Sequence, residues 1–145
     1  MPASLRSVIV DAGPLIAAAV KRDRYHRASV GWFRAHPSVL LFTTLPALTE
    51  ACHILASHAR TKLMRQVEAG TFKLCPIEDA DVGRMANLME RYRDRPMDFA
   101  DASMLIAAEK LGIKDVLSVD HADFEIYRTA KGHALRNWLP RSGRR

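Results

Sequence analysis

Ser7-Val8-Ile9-Val10-Asp11-Ala12-Gly13-Pro14 is the stretch on which the fold turns. The β-branched run Val8-Ile9-Val10 reads as a buried first strand. Asp11-Ala12-Gly13-Pro14 breaks it, and Leu15 to Val20 reads as a helix whose first turn tolerates Pro14. A strand, then an acid, then a helix is the opening of an α/β unit. In open parallel sheets the functional groups gather beyond the carboxyl ends of the strands. Asp11 stands at that place, although an aspartate there serves equally well as a simple helix cap.

The rest of the chain repeats the alternation. Asp23 to Ala35 reads as a second helix, ended by Pro37, and Val39-Leu40-Leu41-Phe42 as a second strand. A third helix, capped by Thr43 or Thr44, places Leu48, Ala51, Cys52 and Leu55 on one face. The basic stretch His58 to Arg65 reads as helical and stops at Gly70. Phe72 to Pro76 is a third strand. Asp79 to Tyr92 is a helix with Val82, Met85, Leu88 and Met89 at helical spacing. Asp98 to Leu111, ended by Gly112, is another. Asp115 to Val119 is a fourth strand, and Phe124 to Tyr127 reads as a fifth at the sheet edge. His133 to Leu139 fits a strand and an irregular tail equally well. The expectation is a three-layer α/β sandwich around a central, mostly parallel sheet of four to five strands.

The 145 residues are expected to form a single domain spanning 1–145, with a flexible tail from about residue 140. No apolar run reaches the roughly 20 residues that a membrane helix needs. Met1 to Ser7 lacks the features of a signal peptide, so a cytoplasmic location is the default expectation. Cys52 and Cys75 form no CxxC pair and read as small buried residues in a reducing compartment. The formal charge of +6 suits a polyanionic partner, but Arg141, Arg144 and Arg145 supply half of that excess.

Acids recur where the alternation places sites. Glu50 sits in the first turns of an otherwise apolar helix, where a buried carboxylate is costly unless paired or bound to a cation. A position on the solvent side of that helix explains it as well. Asp98 and Asp101 share a helix face and the favourable end of the helix dipole. Capping accounts for Asp98 fully and for Asp101 less well, because Asp101 introduces the apolar run from Met104 to Ala108. Asp120 repeats the placement of Asp11 at the end of the fourth strand, with Asp123 close behind; a plain turn is the alternative. Acids at two strand ends and two helix starts can meet at one sheet edge. Together they would repel, and a hard divalent cation relieves that. All-oxygen ligation selects Mg²⁺ or Mn²⁺ over Zn²⁺.

In order, Val8 to Leu15, Thr44 to Glu50, Asp98 to Ala108 and Leu117 to Phe124 resemble the four motifs of the PIN-domain family, in particular the VapC-type toxin ribonucleases of bacterial toxin–antitoxin pairs. The likeness runs from Val8 to about Tyr127. It implies that Asp11, Glu50 and Asp101 are catalytic metal ligands. It leaves the fourth acid between Asp120 and Asp123; Asp120 is favoured because it lies closer to the strand end. Asp98 is then an accessory acid, as is Asp123. The activity implied is hydrolysis of an RNA phosphodiester by metal-activated water, with Mg²⁺ as the cofactor and Mn²⁺ as a possible substitute. Glu50 and Asp120 are both candidates to orient or deprotonate that water. An antitoxin protein and a homodimer are implied as well.

Arg91, Arg93 and Arg95 lead into the Asp98 helix, and Arg60, Lys62 and Arg65 follow the Glu50 helix. Either group could grip RNA phosphates, although a solvated face explains any one of them. Thr43, Thr44 and Ser118 could add hydroxyl contacts to the RNA or the site. His26 and His121 have no partner in the sequence and read as exposed. Two other classes compete. A Mg²⁺-dependent phosphatase or phosphoacceptor domain would also place an Asp after a strand. However, position 13 is Gly where the phosphatases need a second Asp, and Asp120-His121 stands where a receiver domain needs Lys. A non-catalytic RNA-binding module would not require the full set of acids.

Overall fold

The computed structural model describes residues 4–141. Its centre is a five-stranded sheet formed by β1 (Ser7–Val10), β2 (Leu40–Thr43), β3 (Phe72–Leu74), β4 (Asp115–Leu117) and β5 (Arg136–Asn137). The spatial order is β3-β2-β1-β4-β5, and every pairing is parallel. The helices are α1 (Ala12–Ala19), α2 (His26–Ala35), α3 (Leu45–Ile54), α4 (Ser57–Glu68), α5 (Asp79–Arg91), α6 (Phe99–Leu111) and α7 (His121–Ile126). No helix among the described residues is long and apolar enough to cross a membrane.

Side chains alternate across a strand, and β1 shows what that achieves. Ile9 joins Met85, Leu88, Leu105 and Phe124 on one face, whereas Val8 and Val10 join Leu15, Trp32, Leu55 and Phe72 on the other. The sheet therefore has a core on each side, and the chain is the expected three-layer sandwich. The stripe of Met85 and Leu88 is core, as is Trp32. α6 is buried along Ala100–Ala108, which explains its almost continuous apolar sequence. It ends at Gly112, whose left-handed backbone (φ 66°) glycine adopts without strain. Asp81 on α5 ties that helix to α6: it accepts hydrogen bonds from Lys110 Nζ (2.6 Å) and Arg84 Nη1 (3.2 Å). Together with the Glu78 N–H, these hold its carboxyl below the usual carboxylate range.

The structure corrects several local expectations. Phe124–Tyr127 is not a strand. Phe124 belongs to α7, Tyr127 terminates it, and the fifth strand is Arg136–Asn137 instead. Phe124 and Tyr127 are both fully buried, so the apolar spacing that suggested an edge strand is the inner face of a short helix. The second helix begins at His26 rather than Asp23, because the Asp23 carboxylate bonds the Tyr25 N–H in a preceding turn. β4 ends at Leu117 rather than Val119. Cys75 is buried as expected, but Cys52 is only partly so. The expected flexible tail, including Arg144 and Arg145, lies outside the described residues beyond Arg141.

One glycine couples two parts of the fold. A Cβ at Gly13, on the first turn of α1, would lie 2.5 Å from Val119 Cγ2 and 3.0 Å from Cγ1. Val119 is stiff at χ1 and cannot swing aside cheaply. Replacing Gly by Ala inside a helix ordinarily gains up to about 1 kcal/mol. Overpacking costs about 1–3 kcal/mol and wins here. Gly13→Ala is therefore expected to lower stability by about 1–2 kcal/mol in urea unfolding. An unchanged or raised midpoint would show that α1 and the Val119 segment are not in contact.

Candidate metal centre

Three segments deliver carboxylates to one place. Asp11 follows β1 and is the N-cap of α1; its Oδ1 accepts the Ala12 N–H at 2.9 Å. Its own N–H donates to the Leu117 carbonyl (2.9 Å), which extends the β1–β4 pairing by one residue. The next residue on the β4 side, Ser118, donates its hydroxyl to Asp11 Oδ2 at 3.0 Å. The same Ser118 oxygen accepts the Asp120 N–H at 3.0 Å. One hydroxyl thus joins the segments that bear two of the acids. Asn137 holds Ser118 in turn: its Oδ1 accepts the Ser118 N–H (3.1 Å) and its Nδ2 donates to the Ser118 carbonyl (2.9 Å).

Asp101 comes from the first turn of α6. Asp98 is the N-cap, and its Oδ1 accepts the Asp101 N–H at 2.8 Å. Asp101 Oδ2 accepts the Asp98 N–H at 3.2 Å, completing a reciprocal capping box. Asp98 therefore has the capping role that its position allowed, and through it Asp101 is oriented. The start of α3 is tied to the same helix by a buried hydrogen bond between the Thr44 and Ser103 hydroxyls (2.7 Å).

Asp11, Asp101 and Asp120 each offer a carboxylate oxygen within 4.8 Å of the other two. Asp11 is 4 % exposed and Asp101 9 %. Glu50 stands outside this triplet. It is exposed on α3 and, with Asp98, lines an open groove of about 610 Å³ between the starts of α3 and α6. Leu45, His53 and Phe99 line it too.

Burial raises the carboxyls of Asp11, Glu50, Asp101 and Asp120. Asp11 is pushed up to about 7, chiefly by burial, against the opposing hydrogen bonds from Ala12 and Ser118. Asp101 reaches about 8, through burial first and then the charges of Asp11 and Asp98. Asp120 is raised by burial and by Asp123 and Asp98; Glu50 is raised by burial and by Asp98 and Asp120. No ion pair among the described residues reaches Asp11, Glu50, Asp98, Asp101 or Asp120. Three convergent carboxylate oxygens, with no ion pair to them among the described residues, suit a hard divalent ion, whose oxygen ligands lie about 2.0–2.1 Å away for Mg²⁺. The donor set fits such an ion, with Asp11, Asp101 and Asp120 as the residues that would hold it.

The other expected site residues go to different tasks. Asp123 does not join the triplet; it is ion-paired with Arg95. Thr44 is fully buried, with its hydroxyl occupied by Ser103 and by the Ala47 N–H, so burial removes it as an RNA contact. Thr43 is buried as well and donates to the Val10 carbonyl. Arg60 donates to the Cys52 and Leu55 carbonyls at the end of α3 (2.7 and 3.0 Å), and Arg65 pairs with Glu68. Lys62 lines a separate cavity of about 560 Å³ with Leu15, Lys21, Phe33, Leu63 and Phe72. Arg93 is exposed and donates to the Glu90 carbonyl. His26 is partly buried and faces the Ala17 carbonyl (2.7 Å). His121 is not exposed: its ring is buried, with Nε2 2.9 Å from the Leu139 carbonyl. Asn137 was not foreseen, because it lies in the segment whose sequence pattern is ambiguous.

Comparison with known proteins agrees with this architecture. The PIN domain family model matches residues 8–132. No curated protein matches the chain in sequence. Among solved structures, the chain resembles VapC20 of Mycobacterium tuberculosis, described as a sarcin-ricin loop cleaving toxin. The two are 16 % identical, with a TM-score of 0.71 over 80 % of this chain and 93 % of that one. It also resembles PAE2754 from Pyrobaculum aerophilum (18 % identity, TM-score 0.52, 92 % and 89 % covered). FitAcB from Neisseria gonorrhoeae is a further likeness (14 %, 0.54, 92 % and 99 %).

A raised carboxyl pKa carries a definite sign for stability. The native state holds protons that the unfolded chain releases in the ordinary carboxylate range. The stabilisation is complete below about pH 4 and is lost as pH rises through the native values of about 7 for Asp11 and about 8 for Asp101. In EDTA, urea unfolding is expected to show stability falling steadily from pH 5 to pH 8. Asp101→Asn should flatten this decline. A stability that does not change over that range would mean that the carboxyls are not crowded.

Proposed function

The chain belongs to the PIN-domain family, and from that premise we propose that it is a Mg²⁺-dependent endoribonuclease, the toxin of a toxin–antitoxin pair. The observation that carries this reading is the meeting of Asp11, Asp101 and Asp120 oxygens within 4.8 Å, with no ion pair to any of them among the described residues. Such a site is held together by a divalent ion or by protons, and at neutral pH the ion is the chemically useful partner. Mg²⁺ bound there would supply an activated water and neutralise charge on the phosphodiester; Mn²⁺ suits the same ligands.

The chain's own groups divide the remaining work. Asp11, Asp101 and Asp120 are ligands. Glu50 stands beside them on the groove with a raised pKa, a suitable group to orient the attacking water and take its proton. Asp98 fixes Asp101, and Ser118 fixes Asp11. The formal charge of +6 favours a polyanion such as RNA. Arg93 is the exposed member of the proposed RNA-binding set nearest in sequence to the Asp98 segment, while Arg95 faces Asp123. An antitoxin partner, a homodimer and a cytoplasmic location belong to the same reading and rest on the family likeness. The exposed Leu45, Ile54 and Phe99 provide apolar surface for a partner.

The test uses total and synthetic RNA with Mg²⁺, with EDTA, and with Asp11→Asn and Asp101→Asn beside the wild type. Both variants keep side-chain size and remove a crowded charge, so they should fold. Cleavage should require the ion and fall by about 100-fold or more in each variant, beyond what loss of an outer-shell partner costs. Wild-type protein that never cuts RNA but binds it equally well in EDTA would overturn the nuclease reading in favour of a binding module.

A further inference from the structure

The groove beside the carboxylates has two apolar lips. Leu45 is the first residue of α3, and Phe99 is the first of α6. Leu45 is 58 % exposed and Phe99 45 %. The residues just before them, Thr44 and Asp98, are the N-caps of the two helices. The buried hydrogen bond from Thr44 to Ser103 of α6 (2.7 Å) ties the helix starts together, so the lips are held at a fixed spacing. The volume of about 610 Å³ falls within the about 300–1,000 Å³ typical of small-ligand sites. Asp98 joins the groove to the carboxylate triplet. It lines the groove, and its Oδ1 accepts the N–H of Asp101, one of the three converging acids, at 2.8 Å.

Scattered exposed apolar side chains are ordinary. Here two of them border one groove, and one of the two is a flat ring. Charge decides what the groove can hold. Among the described residues that line it there is no lysine or arginine, whereas Glu50 and Asp98 are both acids. A phosphate is repelled from such a place. A protein partner that covers the lips has also to bury both acids, and charged residues are depleted at interface cores because that burial is costly. A nucleobase is uncharged. It presents a flat face to an aromatic ring, and its amino groups can donate to a carboxylate.

Resting on the nuclease reading of the carboxylate triplet, we propose that Phe99 binds substrate by stacking on a nucleobase next to the scissile phosphate, with Leu45 as the other lip of the same slot. The phosphate then lies at the triplet and the base lies in the groove that Asp98 joins to it. A base inside a duplex has both faces covered by its neighbours, so the nucleotide held here is splayed out of any stack. Stacking is tolerant of base identity, because every base has a flat face.

The experiment compares wild type with Phe99→Leu, which keeps apolar bulk but loses the ring, and Phe99→Tyr, which keeps the ring. Both changes are conservative at an exposed position, so both variants should fold. The probes are fluorescein-labelled oligouridylate and an abasic ribose-phosphate oligomer of the same length, each with Mg²⁺. Binding is read by stopped-flow anisotropy ahead of turnover, and KM and kcat are measured on the RNA that wild type cuts. Phe99→Leu should bind oligouridylate about tenfold more weakly, and its loss in cleavage should fall on KM. Phe99→Tyr should match wild type, and the abasic oligomer should bind wild type and Phe99→Leu alike. Equal oligouridylate affinity in wild type and Phe99→Leu would overturn the inference, as would an equal loss on the abasic oligomer. A wild-type dimer that Phe99→Leu dissociates in sedimentation would also overturn it, since the ring would then serve a second copy of the chain. If wild type cuts RNA and Phe99→Leu keeps its KM, only the inference fails. If wild type cuts no RNA with Mg²⁺, or Asp101→Asn cuts as well as wild type, the nuclease reading fails and takes the inference with it.

Discussion

The parallel pairing of β1 with β4 is the contact on which the rest of the site depends. These strands are 105 or more residues apart in sequence, and their register sets Val10 opposite Leu117. The hydrogen bond from the Asp11 N–H to the Leu117 carbonyl carries that register past the end of β1. It places Ser118 beside Asp11, and the Ser118 hydroxyl then touches both Asp11 and the Asp120 backbone. A one-residue slip would reverse the faces of the strand, sending Ile9 into the wrong core and Asp11 away from Ser118. The two cores that fill either side of the sheet therefore also determine where the carboxylates meet.

Crowding of like charge works against this geometry, and the fold opposes it with local hydrogen bonds, since no ion pair among the described residues reaches the triplet. Asp11 keeps hydrogen bonds from Ala12 and Ser118 that partly counter its burial. Asp101 and Asp98 exchange backbone hydrogen bonds at the start of α6, where the helix dipole favours negative charge. Arginine is used nearby but kept off the triplet: Arg95 is paired with Asp123. An Arg inserted among Asp11, Asp101 and Asp120 would remove the crowding of like charge. Asp123 is thus sorted into an ion pair and Asp120 into the triplet.

The main architecture was legible in the sequence because its signals are local. Val8-Ile9-Val10, the amphipathic 79–91 helix and the Gly112 stop each declare themselves within one turn or strand. The positions of Asp11, Asp101 and Asp120 were legible for the same reason, since strand ends and helix starts can be read without tertiary information. What escaped depends on distant partners. The fifth strand consists of only Arg136–Asn137, too short for any periodicity, and it exists because β4 offers it an edge. Phe124 and Tyr127 carry an apolar spacing that a short helix and a strand share, and only burial against α6 decides between them. Thr44 looked available because a hydroxyl is polar; its burial follows from Ser103, 59 residues away. Arg60 looked free to bind phosphate, but the carbonyls at the end of α3 occupy it.

The fold is shared at 14–18 % identity with the structures it resembles. The requirements on the sequence are positional and few: an acid after each of two adjacent parallel strands, an acid on the first turn of a buried helix, and a small residue where α1 meets the Val119 segment. Gly13 satisfies the last of these, because Val119 leaves no room for a Cβ. Most other core positions need only apolar volume on the correct face, a condition that many residues meet. Ser118 and Asn137 fall between these classes. They are neither ligands nor core, yet between them they bond the Asp11 carboxylate, the Asp120 N–H and both backbone groups of Ser118 itself. A side chain of another type could replace either only by offering a donor and an acceptor at the same places, so the supporting shell constrains the sequence nearly as tightly as the carboxylates do.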